Sequence, residues 1–142
     1  MRTLITGGAG FIGSHVSEAL LARGDEVTIL DNFNDFYDPG IKRANAKLLV
    51  DAGARLVEGD IRDEQCLDTL FAEGRFGAVI HLAAMAGVRP SLEAPLLYED
   101  VNVRGSLLLL ERIRRAEGCR YVFASSSSVY GSNEQVPFRE VD

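Results

Sequence analysis

The chain has 142 residues, 46% of them hydrophobic and 25% charged, which fits one globular domain. Only two cysteines occur and no Cys/His cluster has metal-ligand spacing, so a disulfide scaffold and a zinc site are excluded as leading hypotheses. The net charge of −6 opposes nucleic-acid binding, and no apolar run suits a signal peptide or a membrane span, so we expect a cytoplasmic protein without nucleic-acid or membrane partners.

Short apolar runs alternate with helical stretches along the chain, a pattern typical of parallel strands joined by crossover helices. The first predicted strand, residues 2–6, precedes a helix that ends at Arg23-Gly24. Its apolar residues, which recur at helical spacing, are Ile12, Val16, Ala19 and Leu20. Residues 27–30 form the second predicted strand, and a loop over 31–40 leads to a helix over about 41–51.

The middle of the chain repeats this alternation of strand and helix. Residues 55–58 form a third predicted strand, followed by a helix that Asp63 caps and Gly74 ends. The inward side chains of that helix are predicted to be Cys66, Leu67, Leu70 and Phe71. A fourth strand is predicted over 78–82.

A long helix is predicted from Pro95 to Gly118, apolar on most sides at Leu107–Leu110. A fifth strand over 121–124 then runs into four serines, residues 125–128. Five such strands predict an α/β fold, a Rossmann-like doubly wound parallel sheet in the order 3-2-1-4-5. In such sheets ligands bind at the carboxyl ends of the strands, where the strand order reverses.

A glycine-rich turn follows the first strand. Thr6 precedes Gly7-Gly8-Ala9-Gly10-Phe11-Ile12-Gly13, a G-x-x-G-x-x-G pattern between a strand and an amphipathic helix. Because glycine has no side chain, a pyrophosphate can approach the backbone amides at the positive end of the helix. We therefore predict that Gly7, Gly10, Phe11, Ile12 and Gly13 bind a dinucleotide; the alternative is a tight turn alone. A P-loop is disfavoured because Ser14 stands where that motif requires lysine.

Asp31 directly follows the second strand, where a carboxylate accepts hydrogen bonds from the adenosine ribose hydroxyls. An anion there also repels a 2′-phosphate, so the predicted cofactor is NAD rather than NADP. Lys42 and Arg43 lie near in sequence and weaken this argument. The alternative is that Asp31 is a solvated loop residue.

The Thr6–Gly13 pattern resembles the TGxxGxxG pattern of the extended short-chain dehydrogenase/reductase family. Two further segments match that family, Gly59-Asp60-Ile61-Arg62 after the third strand and His81-Leu82-Ala83-Ala84 after the fourth. The resemblance implies that Asp60 and Ile61 lie beside the adenine, although Asp60 is explained almost as well by a helix cap. By the same resemblance, the remaining cofactor-binding residues are Asn32, Leu82, Ala83 and Ala84. We interpret His81, inside an apolar strand, as structural.

Within that family the chain is most similar to the UDP-glucuronate 4-epimerases. The similar segments are Asp31–Asp38, Ala86–Ser91 and the four serines before Val129-Tyr130-Gly131. The resemblance places the catalytic residue at Ser126, whose hydroxyl would hydrogen-bond the O4 of the sugar. The alternative is a serine that caps a turn after the strand. It also implies that Arg89, Ser127 and Ser128 contact a UDP-sugar substrate, although Arg89 is equally explained as a surface arginine.

Ser127 and Ser128 also help to choose the reaction. Related dehydratases carry Asp and Glu at these positions, and related decarboxylases carry Glu at the second, so elimination is not expected. The resemblance implies 4-epimerisation of a nucleotide sugar, in which NAD takes the C4 hydride and returns it to the opposite face of the 4-keto sugar. Asn102 is expected to tie backbone groups behind the active site.

The family's Tyr-x-x-x-Lys pair does not occur in the sequence, because Ile41, Asn102, Ser125 and Glu134 stand four residues beyond the tyrosines. We therefore expect residues 1–142 to be an incomplete NAD-binding Rossmann domain, inactive by itself. The pair and the substrate region would lie elsewhere in a longer, homodimeric enzyme, and the apolar stripe at Leu107–Leu110 would promote self-association. The alternatives are a non-catalytic dinucleotide-binding module and a related nucleotide-sugar oxidoreductase.

Overall fold

The computed structural model describes residues 1–142 and places five parallel strands in one sheet. The strands are β1 Arg2–Thr6, β2 Glu26–Asp31, β3 Arg55–Glu58, β4 Ala78–His81 and β5 Arg120–Phe123. Their order is β3-β2-β1-β4-β5, which confirms the predicted topology. Thr6 pairs with Leu30 on one side and with His81 on the other, so the ends of three strands meet at one edge of the sheet. This edge is the switch point at which doubly wound sheets bind ligands.

Six α-helices accompany the sheet. They are α1 Phe11–Ala22, α2 Pro39–Asp51, α3 Glu64–Gly74, α4 Val88–Glu93, α5 Pro95–Glu99 and α6 Ser106–Arg115. A π-helical segment, Asp100–Gly105, joins α5 to α6, so the long predicted helix exists but changes its hydrogen-bond pattern in the middle. A 3₁₀ turn, Ser127–Tyr130, follows β5. None of the helices combines the length and apolarity needed to span a bilayer.

Two hydrophobic clusters hold the helices against the two faces of the sheet. Leu4 on β1 packs with Leu67 of α3 and Leu109 of α6 on one face. Ile5, the next residue along β1, packs with Leu49 of α2 on the other. Successive residues of a strand point to opposite faces, so one apolar run serves both clusters. Of the five side chains named here, Leu49 is 1% exposed and the other four are 0% exposed. Burying such a side chain stabilises the fold by roughly 1.5–3 kcal/mol.

Of the four apolar residues that recur at helical spacing on α1, Val16 and Leu20 pack against the cluster around Ile5, whereas Ile12 and Ala19 are exposed. The buried positions are the small residues Gly13, Ser14 and Ser17. A Cβ atom on Gly13 would collide with the carbonyl oxygen of Gly7, so the helix lies too close to the glycine turn for larger side chains. Small residues therefore form the contact, and helical periodicity alone did not reveal it.

Helix α3 begins as predicted, with the Asp63 side chain accepting a hydrogen bond from the amide of Cys66. Its end is different, because Arg75 takes the left-handed conformation with φ of 42° and Gly74 stays in the helix. A side chain at Gly74 would collide with the ring of Phe76. Gly74 is thus explained by close packing and not by the stop signal that the sequence indicated.

Candidate cofactor-binding site

A cavity of about 650 Å³ lies at the carboxyl edge of the sheet. All twelve residues predicted to bind the cofactor line it: Gly7, Gly10, Phe11, Ile12, Gly13, Asp31, Asn32, Asp60, Ile61, Leu82, Ala83 and Ala84. These residues come from the segments that follow β1, β2, β3 and β4. The four residues predicted for catalysis and substrate binding, Arg89, Ser126, Ser127 and Ser128, are not among its lining residues.

The glycine turn forms the floor of the cavity. Gly7 has a φ of 68°, and its amide donates a 2.8 Å hydrogen bond to the carbonyl oxygen of Leu30. A Cβ atom on Gly7 would lie 2.8 Å from the amide nitrogen of Ala83, so only glycine fits between β1 and the segment after β4. Gly10 precedes α1 without a side-chain cap, and the amides of Phe11 and Ile12 have no acceptor within the chain. These amides stand at the positive end of a helix dipole, which suits an anionic ligand.

Asp31 connects the glycine turn to the loop after β2. Its carboxylate accepts one hydrogen bond from the amide of Ala9 at 3.2 Å and another from the amide of Phe33 at 2.9 Å. The Asp31 residue is only 5% exposed, so it is not a solvated loop aspartate. Because each oxygen has a second lone pair, the carboxylate keeps acceptor capacity towards the cavity that it lines.

Lys42 of α2 lies beside Asp31, with 3.7 Å between its Nζ and Asp31 Oδ1. Lys42 Nζ also donates to the backbone oxygen of Asn34 at 3.3 Å and to Asn34 Oδ1 at 3.0 Å, and it lies 5.0 Å from the centre of the Tyr37 ring. The Arg43 guanidinium pairs with Glu58 and lies 3.8 Å from the centre of the Phe33 ring. Its hydrogen bonds to Glu58 and, to a smaller extent, the charge of Asp31 raise the pKa of Arg43. Of the two basic residues that weakened the argument for NAD, Lys42 is the one within ion-pair distance of Asp31.

Asp60 and Asn32 meet at the far end of the cavity, where Asn32 Nδ2 donates to Asp60 Oδ2 at 2.9 Å. Both oxygens of Asp60 also accept hydrogen bonds from the Arg62 side chain, at 2.8 and 2.9 Å. These hydrogen bonds from Arg62 lower the pKa of Asp60 from 3.8 to about 2. Asp60 is therefore a fixed anion, and its contacts are with a neighbouring loop residue and an arginine rather than with a helix terminus.

A chain of hydrogen bonds runs from the cavity wall into the sheet. The amide of Ala83 donates to Thr6 Oγ1 at 3.3 Å, and Thr6 Oγ1 lies 2.6 Å from Nδ1 of His81. On the other side of the ring, His81 Nε2 lies 2.9 Å from Ser106 Oγ, which itself donates to the backbone oxygen of Asn102 at 2.6 Å. Since Ser106 uses its proton for Asn102, Nε2 of His81 carries the donor and Nδ1 accepts from Thr6.

Burial lowers the pKa of His81 from 6.5 to about 4, so the ring is neutral at physiological pH. His81 is 2% exposed and does not line the cavity. A neutral ring with two hydrogen-bond partners, Thr6 and Ser106, supports the wall of the cavity. This agrees with the structural role that the sequence indicated for His81. Asn102 likewise does what the sequence predicted, donating to the backbone oxygen of Met85 at 2.9 Å and accepting from its amide at 2.8 Å.

The serine segment after β5 is built differently. Ser126 is exposed, and its Oγ donates to Ser128 Oγ at 3.1 Å and accepts from the amide of Ser128 at 3.2 Å. These contacts are local, within the 3₁₀ turn that Ser126 caps. Arg89 lies exposed on α4. Ala124 lies directly before the serines. It is the only residue C-terminal to the π-helical segment that lines the cavity.

The sequence of residues 4–142 matches the profile of the family described as GDP-mannose 4,6 dehydratase. The chain belongs to this family of NAD-dependent epimerases and dehydratases. It is 53% identical, over its whole length, to UDP-glucuronate 4-epimerase 1 of Arabidopsis thaliana and covers 33% of that protein. The chain thus spans about a third of the length of the curated relatives it matches.

Two solved structures extend the comparison to the fold. A UDP-glucose 4-epimerase from Stenotrophomonas maltophila, crystallised with NAD and formylated UDP-arabinopyranose, superposes with a TM-score of 0.85 at 36% identity. The match covers 99% of this chain and 41% of that one. The UDP-glucose 4-epimerase from Thermus thermophilus in complex with NAD gives a TM-score of 0.76 at 43% identity, covering 89% of this chain and 38% of that one.

Several lining residues were not assigned by the sequence analysis. They are Leu30, Asn34, Asp35, Phe36, Tyr37, Lys42, Gly59, Arg62, Met85, Leu97, Val101 and Ala124. The run of Asn, Asp and aromatic residues after β2 was a usable signal, since only Asn32 of this loop was given a cofactor role from the sequence. Lys42 was noted only as a positive charge near Asp31, and Val101 carried no signal, because the packing of the π-helical segment alone brings it to the cavity.

Proposed function

We propose that this chain forms the NAD-binding part of a nucleotide-sugar 4-epimerase. The observation that carries the proposal is the convergence of all twelve predicted cofactor residues on one cavity at the switch point of the sheet. The cavity suits the cofactor chemically, because the unpaired amides of Phe11 and Ile12 offer donors to a pyrophosphate and the Asp31 carboxylate offers acceptors to ribose hydroxyls. The likeness to epimerases crystallised with NAD supports it independently.

The proposed reaction is transient oxidation of the sugar at C4, followed by reduction from the opposite face. Bound NAD would supply the hydride acceptor and donor for this chemistry. Ser126 would hydrogen-bond the sugar O4, while Arg89, Ser127 and Ser128 would contact the UDP-sugar. The absence of carboxylates at positions 127 and 128 supports epimerisation over elimination. Identity of 53% to a UDP-glucuronate 4-epimerase supports UDP-glucuronate as the substrate, with UDP-glucose as the alternative.

Residues 1–142 are proposed to be the NAD-binding Rossmann domain of that enzyme. The Tyr-x-x-x-Lys pair, in which tyrosinate acts as the base, does not occur in these residues. Turnover is therefore proposed only together with a segment that supplies this pair and holds the nucleotide sugar. The lack of the pair also favours the second candidate function, a dinucleotide-binding module without turnover.

We propose a homodimer as the assembled state. The predicted stripe at Leu107–Leu110 is only partly exposed, because Leu109 is buried in the core and Leu108 is half-buried. The apolar stripe that remains consists of the exposed residues Leu96, Val103, Leu107 and Leu110, whose exposed fractions are 83%, 51%, 57% and 38%. Exposed apolar side chains of this kind favour association over contact with water.

Calorimetric titration of the chain with NAD and with NADP tests the proposed cofactor. NAD is expected to bind at least about tenfold more tightly than NADP, because Asp31 repels the 2′-phosphate and Lys42 offsets only part of that charge. Replacing Gly10 by valine fills the space above the turn, where a Cβ already lies 3.2 Å from the Gly7 oxygen. We expect Gly10→Val to weaken NAD binding by roughly 100-fold.

Ala22→Val is the matched control, since Ala22 is exposed at the other end of the same helix. It is expected to keep the NAD affinity of the wild type. A folded wild-type chain that gives no heat with NAD would refute the proposed function. Tighter binding of NADP would refute the role given to Asp31.

A further inference from the structure

The π-helical segment touches both ends of the cavity. At its start, Asp100 Oδ2 accepts a 3.0 Å hydrogen bond from Arg62, the residue that also holds both oxygens of Asp60. The start of the segment thus reaches the loop after β3 through Arg62. Removing the Asp100 carboxylate would leave Arg62 with one anionic partner instead of two.

Directly after the π-helical segment, Ser106 reaches the opposite end of the cavity. It is the last member of the hydrogen-bonded chain that starts at the amide of Ala83 and passes through Thr6 and His81. Asn102, within the segment, holds both backbone groups of Met85. The segment after β4 is therefore tied to the π-helical segment at Ala83 and at Met85.

The π-helical hydrogen-bond pattern is what allows both sets of contacts. Asp100 and Gly105 both face the loop after β3, since a Cβ on Gly105 would lie 2.7 Å from Ile61 Cδ1 and 3.6 Å from Arg62 Cγ. In an α-helix, residues five apart point in directions that differ by about 140°. A turn closed between residues i and i+5 brings them back to one side. The wider turn thus places Asp100 and Gly105 together.

We propose that the π-helical segment is a positioning element that holds the two ends of the cofactor cavity at a fixed separation, with Asp100 and Ser106 as its positioning residues. This inference rests on the proposed binding of NAD, whose adenine would lie near Asp60 and Ile61 and whose nicotinamide would lie near Ala83. A dinucleotide spans both ends, so its affinity depends on their relative placement. A ligand that occupies one end depends on one set of contacts only.

Inserting one alanine after Val103 tests the proposal, because it adds one residue to the turn at a position that is 51% exposed. The added residue rotates Ser106 by about 100° relative to Asp100, so Asp100–Arg62 and Ser106–His81 cannot both form. We expect roughly tenfold weaker NAD binding and faster hydrogen exchange at the amides of Ala83 and Met85, with the core amides of β1 still protected. Val103→Ala, which keeps the residue count, is the matched control and is expected to match the wild type.

Unchanged NAD affinity and unchanged exchange at Ala83 and Met85 in the insertion variant would overturn the proposal. If the insertion unfolds the chain, Asp100→Asn and Ser106→Ala decide the question with NAD and ADP-ribose as ligands. Asp100→Asn is expected to weaken both ligands about equally, by roughly threefold or more, and Ser106→Ala to weaken NAD but not ADP-ribose. Equal NAD affinity in both variants and the wild type would refute the positioning role.

The exchange measurement separates this inference from the proposed function. A wild-type chain that does not bind NAD refutes the function. In that case the protection of Ala83 and Met85, compared between Val103→Ala and the insertion variant, still decides whether the π-helical segment orders the cavity wall.

Discussion

The glycine turn with its Asp31 contacts and the serine segment after β5 were both singled out from the sequence, yet the structure builds them in opposite ways. Asp31 is 5% exposed and joins residues from three separate segments, at Ala9, Phe33 and Lys42. Ser126 is exposed and its side chain bonds only to Ser128, two residues away. The cofactor end of the site is thus preorganised by tertiary contacts, whereas the serine segment is held by local contacts alone.

This difference bears on how the proposed enzyme is assembled. A cavity held by buried hydrogen bonds keeps its geometry before any ligand arrives, which lowers the cost of binding. An exposed turn with local bonds has no such support, and its side chains are free to choose other rotamers. Substitutions in the two regions are therefore expected to differ in both stability and NAD affinity.

The largest effect is expected from Asp31→Ala. The substitution leaves the amides of Ala9 and Phe33 without an acceptor and the buried Lys42 without its anion. We expect a loss of about 4 kcal/mol in the free energy of unfolding, measured by urea denaturation. Glu58→Ala is the control, because it breaks an exposed ion pair with Arg43 and should change stability far less. Equal losses in the two variants would contradict the difference in preorganisation.

The second largest effect is the dependence of the free energy of unfolding on pH, which we expect from His81 behind the cavity. Burial lowers the pKa of His81 from 6.5 to about 4, so between these values the unfolded chain binds a proton that the folded chain does not. The contribution of neutral His81 to the free energy of unfolding is therefore fully present above about pH 6.5. It is lost as the pH drops towards 4, which lowers the free energy of unfolding by up to about 3 kcal/mol. Asp60, with its pKa lowered from 3.8 to about 2, loses its contribution only below that range. Unfolding curves at a series of pH values measure the effect.

His81→Gln removes this titration while keeping a donor and an acceptor on the side chain. The variant is expected to lose the additional dependence on pH between 6.5 and 4. A wild type and a variant with the same slope in that range would show that His81 is not buried neutral in solution.

An intermediate effect is expected from Leu107→Glu on the apolar stripe. A charge at a residue that is 57% exposed does little to the fold, but it opposes burial of that surface in a homodimer. Sedimentation velocity is expected to show association of the wild type and monomers of the variant. Leu48→Glu, on α2 and 62% exposed, is the matched control and is expected to associate like the wild type. A wild type that is monomeric at high concentration would contradict the proposed face.

The smallest effect is expected from Ser126→Ala. Because its contacts are local and exposed, we expect a change of at most about 0.5 kcal/mol in the free energy of unfolding and an NAD affinity within about twofold of the wild type. Calorimetric titration of Ser126→Ala and of Gly10→Val with NAD compares the serine segment with the glycine turn directly. A tenfold loss of NAD affinity in Ser126→Ala would show that the serine segment takes part in the cofactor site.

Much of the fold and of the candidate site followed from local patterns. The alternation of apolar runs and helical stretches predicted five strands and their order, because crossover connections between parallel strands have one hand. Gly7 to Gly13 and Asp31 could be assigned to the cavity because their spacing from β1 and β2 places them at the carboxyl ends of the strands. These are properties of the chain within a few residues of each strand.

Other features depended on contacts between distant segments. Val16 and Leu20 pack against the core as the helical pattern indicates, but Ile12 and Ala19, which fit the same pattern, are exposed. The closest contact of α1 is made instead by Gly13 against Gly7. Lys42 pairs with Asp31 across eleven residues, and Ser106 meets His81 across twenty-five. Burial and hydrogen-bond partners are set by the packing of separate elements, and no local spacing encodes them. Local sequence thus determined where the strands end and which groups stand there, and tertiary packing alone decided which of those groups are buried, paired and held in place.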